Sequence, residues 1–435
     1  MIKDSKDTVL NKIKCKKSIV GIIGLGYVGL TLALLIAKKG FKIYGYDTDK
    51  QKIAKLIKKK SYLERISDVD IKKKFKESNF FNNFQNIGKC DVIIICVPTP
   101  LKINKNPNLE FIKNTINQIK NKLRKNQLLI LESTSYPGTT RDLIIKKLEK
   151  KFKIGKNFFV GFSSERINPG DNENYINRIP KVVSGYSTYC LKLMNIFYKN
   201  FFLKTIKSKS LEEAELSKLL ENIYRSINIG FINEMKFIAD KMNLDIFEIL
   251  KISSTKPFGF NRFDPGPGIG GHCIPIDPLY LSWKAKQIGM DAKFIKLSGE
   301  INLKVLSFIY NKINLIRRKI KKSIKDINIL ILGLAYKKNI DDLRESSSLK
   351  LINLLYKKKF KKISFSDPHI KIINSRDFNY KIKNIKLSKK NLTKFDVVVL
   401  MTDHDKFNYN LIYNNSKLII DTRGKYKLDT KVIRG

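Results

Sequence analysis

Three observations predict an α/β chain built from two doubly wound halves. Short apolar runs alternate with helical periodicity at both ends of the sequence, a glycine closes the first run at each end, and a long amphipathic stretch lies between. The expected architecture is two Rossmann-like doubly wound domains joined by a long central helix and a helical dimerisation region. The boundaries expected are 1–205, 206–322 and 323–435.

The first half opens with the apolar run from Ser18 to Ile23, followed by Gly24-Leu-Gly-Tyr-Val-Gly29 and the apolar segment 30–37. Strand, GxGxxG and helix in that order form a dinucleotide fingerprint. Gly24 permits the tight turn, Gly26 lets the backbone approach a pyrophosphate, and Gly29 allows close packing of helix on strand. The helix start offers uncapped N–H groups and the positive end of its dipole to phosphate. A second strand, 41–46, ends in Asp47, 23 residues after Gly24, where a carboxylate accepts hydrogen bonds from ribose hydroxyls. A 2′-phosphate would be repelled there, which favours NAD over NADP. The runs 91–98 and 128–132 are continuously apolar, as buried parallel strands are, and lead into Pro98-Thr99-Pro100 and Ser133-Thr134-Ser135-Tyr136-Pro137-Gly138.

The last third repeats this grammar. Asn328 to Gly333 reads as strand and glycine, 362–367 as a second strand ending in an acid, and 396–401 answers 91–97. Its first loop, Gly333-Leu-Ala-Tyr-Lys-Lys338, carries lysine where a third glycine might stand, so a different phosphate ligand is expected. Between the halves, 211–242 has apolar residues at helical spacing and would span roughly 48 Å as a helix. Lys218 and Asn222 lie four apart, on one face of it.

The segment Phe263-Asp264-Pro-Gly-Pro-Gly-Ile-Gly-Gly-His-Cys273-Ile-Pro-Ile-Asp277-Pro278 has glycines at 266, 268, 270 and 271. Such a stretch weakens any regular element and brings backbone and one reactive side chain against a ligand. Cys273 is the candidate nucleophile and Asp277 the nearby carboxylate, whereas Cys90 and Cys96 read as core.

Composition sets the outer bounds. The 435 residues suit two or three domains, and 43% hydrophobic content fills their cores. Eighty-six Lys and Arg against 39 Asp and Glu give a net charge of +47. The lysines are spread along the whole chain beside frequent Ile and Asn, a codon bias rather than a nucleic-acid patch, though the field helps attract anions. No apolar run is long enough to span a membrane, and no signal peptide is expected at the N-terminus. Five scattered cysteines without a CxxC pair argue against zinc and for a reducing cytoplasm.

The segments GLGYVGL, ESTSYPGTT, SSERINPGD, AELSKLLEN, PGPGIGGHCIPIDP, LGLAYKKNIDDLRESSS and DTRG occur in the order of the UDP-glucose/GDP-mannose dehydrogenase family, and the chain resembles it over nearly its whole length. The glycine loop, with the preceding SSTKPFGF, is most similar to the branch acting on UDP-N-acetylglucosamine. The resemblance implies an NAD-dependent four-electron oxidation of the sugar C6 hydroxyl to a carboxylate, for surface polysaccharide synthesis, with no metal. It implies Cys273 as nucleophile, Lys218 and Asn222 as oxyanion stabilisers, and Asp277 or Glu165 as the hydrolytic base, with Thr134 placing a water. Cofactor contacts are implied at Gly24, Gly26, Tyr27, Val28, Gly29, Asp47, Lys52, Thr99, Thr134 and Arg344. Sugar-nucleotide contacts are implied at Glu165, Lys218, Asn222, Gly270, Lys337 and Arg423. The partners implied are a UDP-sugar and a second copy of the chain. The family's cross-subunit arginine has no secure counterpart: Arg262 is near, at a different spacing. UDP-glucose, UDP-N-acetylmannosamine and UDP-N-acetylgalactosamine are the alternative substrates. A single-step NAD dehydrogenase and a non-catalytic nucleotide-binding regulator are the rival classes.

Overall fold

The computed structural model describes residues 5–63, 66–166, 176–371, 373 and 382–435. The second part of SSERINPGD, from residue 167 on, lies outside the described residues. The chain divides into two compact units. One comprises Met1–Glu221 with Trp283–Gly289, the other Asn222–Ser282 with Met290–Gly435.

The first unit carries β1 (Ile19–Ile23), β2 (Lys42–Tyr46), β3 (Asn79–Phe81), β4 (Val92–Ile95), β5 (Leu128–Leu131), β6 (Phe159–Phe162), β7 (Lys181–Gly185) and β8 (Thr205–Lys207). They form one sheet in the order β3-β2-β1-β4-β5-β6-β7-β8, parallel except where β7 meets β6. The first six keep the doubly wound order, whose direction reverses between β1 and β4. β4 and β5 are buried at every position, which explains why their sequences run apolar without alternation. Each fully buried Ile, Leu or Val there contributes roughly 1.5–3 kcal/mol. Cys90 and Cys96 flank β4, the first buried and the second half-buried.

The second unit carries β9 (Asn328–Leu332), β10 (Lys362–Ser366), β11 (Lys383–Asn384), β12 (Val397–Leu400), β13 (Ile419–Asp421) and β14 (Val432–Arg434). They pair all-parallel in the order β11-β10-β9-β12-β13-β14, the same doubly wound arrangement. On one face Ile329, Ile331, Val397 and Val399 pack with Val305, Ile309 and Ile313 of the helix Lys293–Lys319. On the other, Leu330, Leu332, Val398 and Leu400 pack with Leu392, Phe407 and Ile412.

The expected central helix is present as Leu211–Lys241, 31 residues long. The division between the units falls inside it.

Candidate active site

The first unit brings its predicted cofactor residues to the carboxyl ends of its strands, the ligand edge of an open α/β sheet. Gly24 has φ +91°, and a Cβ there would lie 2.7 Å from the Cys96 carbonyl oxygen. A Cβ on Gly29 would meet the Gly24 carbonyl at 1.9 Å, so neither position admits a side chain. Gly26 caps the helix Tyr27–Lys38 without any side-chain hydrogen bond, and a Cβ there would meet nothing within 4 Å. The first-turn amides, with Tyr27 and Val28 half-buried beside them, thus keep the geometry that suits a pyrophosphate. Asp47 follows β2 and accepts the N–H of Leu25 at 2.9 Å and of Asp49 at 2.9 Å, with Lys52 Nζ 3.8 Å away. Thr99 is buried in the turn after β4, Thr134 half-buried after β5, and Glu165 buried after β6. These residues fit NAD: the close turn, the uncapped helix start and the carboxylate belong to one strand–turn–helix–strand unit.

Two features of this unit escaped the sequence reading. Glu215, buried on the central helix, accepts the N–H of Gly138 and both the N–H and hydroxyl of Thr140, tying down the loop that carries Thr134. Burial outweighs these donors and pushes its carboxyl up to about 7. Lys181, at the start of β7, is buried against Glu132 at 3.1 Å and Glu165 at 3.2 Å. Such pairs join residues far apart in sequence and leave no periodic signal.

In the second unit the glycine loop is fastened from several sides. Gly266 donates its N–H to Asn233 Oδ1 at 3.1 Å, and its carbonyl accepts from the buried Lys236 at 3.1 Å. Gly271, at φ +83°, donates its N–H to the Arg344 carbonyl at 2.9 Å. Added Cβ atoms on Gly270 and Gly271 would each come within 2.7 Å of the Tyr336 side chain, so that aromatic sets the path of the loop. Cys273 is exposed, and its carbonyl accepts the N–H groups of Ile276 and Asp277 where the helix Asp277–Gln287 begins. Asn222 donates its side-chain N–H to Asp277 Oδ2 at 2.5 Å, with both residues buried. Lys218, buried one turn earlier on the same helix, belongs by the division above to the first unit.

Arg423, after β13, donates Nε to the Met401 carbonyl at 2.8 Å and lies 3.8 Å from Asp403. A Cβ on Gly266 would meet its guanidinium at 3.1 Å. Lys337 is half-buried in the turn after β9. Arg344, expected near the cofactor, is grouped with the second unit, and its guanidinium engages Asp342 at 2.6 Å. Arg262 pairs with Asp264 at 2.8 Å. Asp367, the counterpart of Asp47, is consumed by its own turn. It accepts the N–H groups of Leu334, Ala335, His369 and Ile370 and pairs with His404 at 3.1 Å.

Comparison with known proteins adds an independent line. Residues 18–202 match the NAD binding domain of the UDP-glucose/GDP-mannose dehydrogenase family, 212–304 its central domain, and 330–428 its UDP binding domain. The chain is 35% identical to a UDP-N-acetyl-D-glucosamine 6-dehydrogenase of Pseudomonas aeruginosa, over 77% of this chain and 79% of that protein. It is 32% identical to a UDP-N-acetyl-D-mannosamine dehydrogenase of Methanocaldococcus jannaschii, over 95% and 92% respectively. Among solved structures, the UDP-D-ManNAc dehydrogenase of Pyrococcus horikoshii superposes with a TM-score of 0.84 at 26% identity, covering 94% of this chain and 96% of that one.

Proposed function

Because the chain belongs to the UDP-glucose/GDP-mannose dehydrogenase family and is an NAD-dependent nucleotide-sugar dehydrogenase, we propose that it oxidises the C6 hydroxyl of UDP-N-acetylglucosamine to a carboxylate. The observation that carries the four-electron reading is the exposed Cys273 in a loop pinned on three sides, beside a buried Asn222–Asp277 pair. A single two-electron oxidation needs no nucleophile of this kind.

The Gly24–Gly29 turn and Asp47 would hold NAD, which would supply the hydride acceptor, one molecule for each two-electron oxidation. The remaining chemistry belongs to the chain. The Cys273 thiolate adds to the C6 aldehyde to give a thiohemiacetal, whose oxyanion Lys218 and Asn222 stabilise. Asn222 has two amide protons and spends one on Asp277. Oxidation of the thiohemiacetal leaves a thioester. Water adds to its carbonyl, the proton passes to Glu165 or Asp277, and the C–S bond breaks to release the carboxylate and restore the thiolate. Covalent capture keeps the aldehyde from escaping between the oxidations.

The identities to relatives named for the glucosamine and mannosamine sugars are close, so UDP-N-acetylmannosamine is the second reading. The working form is a homodimer or higher homo-oligomer in the cytoplasm, feeding polysaccharide synthesis. Five cysteines without a disulfide suit a reducing compartment, and among the described residues no helix is long and apolar enough to cross a membrane. A screen of UDP-sugars with NAD tests the whole reading. Two NADH per UDP-N-acetylglucosamine is the expected yield; one NADH, or turnover of another sugar alone, overturns it.

A further inference from the structure

Lys181, Glu132 and Glu165 form a buried ionic triad in the first unit. Lys181 Nζ lies 3.1 Å from Glu132 Oε2 and 3.2 Å from Glu165 Oε2. All three side chains are at least nine-tenths buried. The other Glu132 oxygen accepts the Tyr198 hydroxyl, and the ammonium also faces the rings of Tyr198 and Phe202, both at 5.3 Å. The second Glu165 oxygen accepts the N–H of Arg166 at 2.6 Å. The Arg166 guanidinium is in turn held by Glu221 and by the Pro180 carbonyl, next to Lys181. The Cys96 thiol, at the end of β4, also faces the triad.

Taking three charges out of water is expensive, and a structural site of this shape is served as well by apolar residues. Two carboxylates converge on one ammonium inside the unit, a cost that packing does not explain. Burial opposes the Lys181 charge, but the two carboxylates outweigh it and keep the ammonium protonated. Burial also pushes Glu132 up, against the pull of Lys181.

We propose that Lys181 is a positioning residue for Glu165: anchored through Glu132 and Tyr198, it fixes one Glu165 oxygen and supplies the cation that this carboxylate faces. This rests on the proposed role of Glu165 as a base in thioester hydrolysis, and it gives Glu132 and Tyr198 a function. Lys181 itself touches no reacting atom.

Two substitutions move the same quantity in opposite directions. Lys181→Met removes the cation, so the acidic limb of the kcat profile should rise by about one pH unit, with kcat at pH 7 down about tenfold or more. KM for the UDP-sugar should change little, and unchanged NAD binding reports an intact fold. Glu132→Gln leaves Lys181 wholly to Glu165, so the limb should move to lower pH, and this variant decides the matter if Lys181→Met does not fold. Profiles that superpose on that of an active wild type, or that move the same way in both variants, overturn the positioning role alone. A wild type that oxidises no UDP-sugar overturns this inference together with the function beneath it.

Discussion

Cys273 is exposed while Asn233 and Lys236, which hold its loop, are buried, an arrangement that suits the reactive thiol proposed. Cys273→Ala should abolish carboxylate formation and leave NAD and UDP-sugar binding intact, by calorimetric titration. Normal acid production by that variant would sink the covalent route, and Cys273→Ser should accumulate an ester adduct visible by mass spectrometry. Glu215 offers a test of stability. Burial raises its folded-state pKa to about 7 from an ordinary 4.5, so folding takes up a proton. Its contribution is therefore complete below pH 4.5, declines as pH rises, and is lost above about 7. Between pH 5 and 8 the wild type should lose roughly 2–3 kcal/mol relative to Glu215→Gln, measured by urea unfolding. Parallel pH dependence in the two proteins would show that Glu215 does not carry this charge.

The repeated element explains why the fold was legible and where legibility ended. Asp91 precedes β4 and accepts the N–H of Ile19 together with Lys12 and Arg124; Asp396 precedes β12 and accepts the N–H of Asn328 together with Lys322 and Lys417. Gly24 and Gly333 both adopt positive φ, and a Cβ on either would collide with Cys96 or Thr402 respectively. Apolar runs with an acid and a glycine at fixed places are written in sequence, so both sheets, both turns and the cysteine loop could be read there. The difference between Asp47 and Asp367 could not: His404, 37 residues further on, is what seals the second carboxylate. Nor could the fit of Tyr336 under Gly270 and Gly271, which only folding creates. That fit yields its own expectation. Gly271→Ala forces a Cβ within 2.7 Å of the Tyr336 ring at φ +83°. The strain of about 1–2 kcal/mol should displace the loop and lower kcat, while NAD binding stays unchanged. Adding Tyr336→Ala should relieve the clash and recover part of the rate. An alanine variant of full activity would mean the loop tolerates another path.

For the whole molecule, a 50.3 kDa chain with a net charge of +47 handles two anionic nucleotides and, as proposed, a second copy of itself. Leu216, Leu220, Tyr224, Phe231 and Ile238 are all exposed on the central helix, spaced four, four, seven and seven residues. That spacing confines them to about a quarter of its circumference, an apolar stripe that a monomer gains nothing by presenting to water. Phe231→Asp should therefore halve the mass seen by light scattering. Monomeric wild type would rule out the dimer.

The two halves should also separate by ligand. The first keeps every glycine of the fingerprint and an Asp47 that pins the Gly24 turn, whereas the second seals Asp367 with four backbone N–H groups and His404. The carboxylate proposed to bind ribose is thus Asp47 of the first half rather than Asp367. The second instead offers Lys337 after β9 and Arg423 after β13, at the carboxyl ends of strands where phosphates gather. Lys337→Ala should weaken UDP-sugar binding by about 1.5–3 kcal/mol if a charged hydrogen bond is lost, roughly ten- to over a hundredfold in Kd. NAD affinity should be unmoved. Arg344→Ala is the contrast: the resemblance assigns it to the cofactor, so NAD should suffer more than the UDP-sugar. Calorimetric titration of each variant with each ligand separates the two cases. If Lys337→Ala impaired NAD and spared the UDP-sugar, the lysine-bearing turn would not be the substrate's phosphate site, and the allocation of one nucleotide to each half would fall with it.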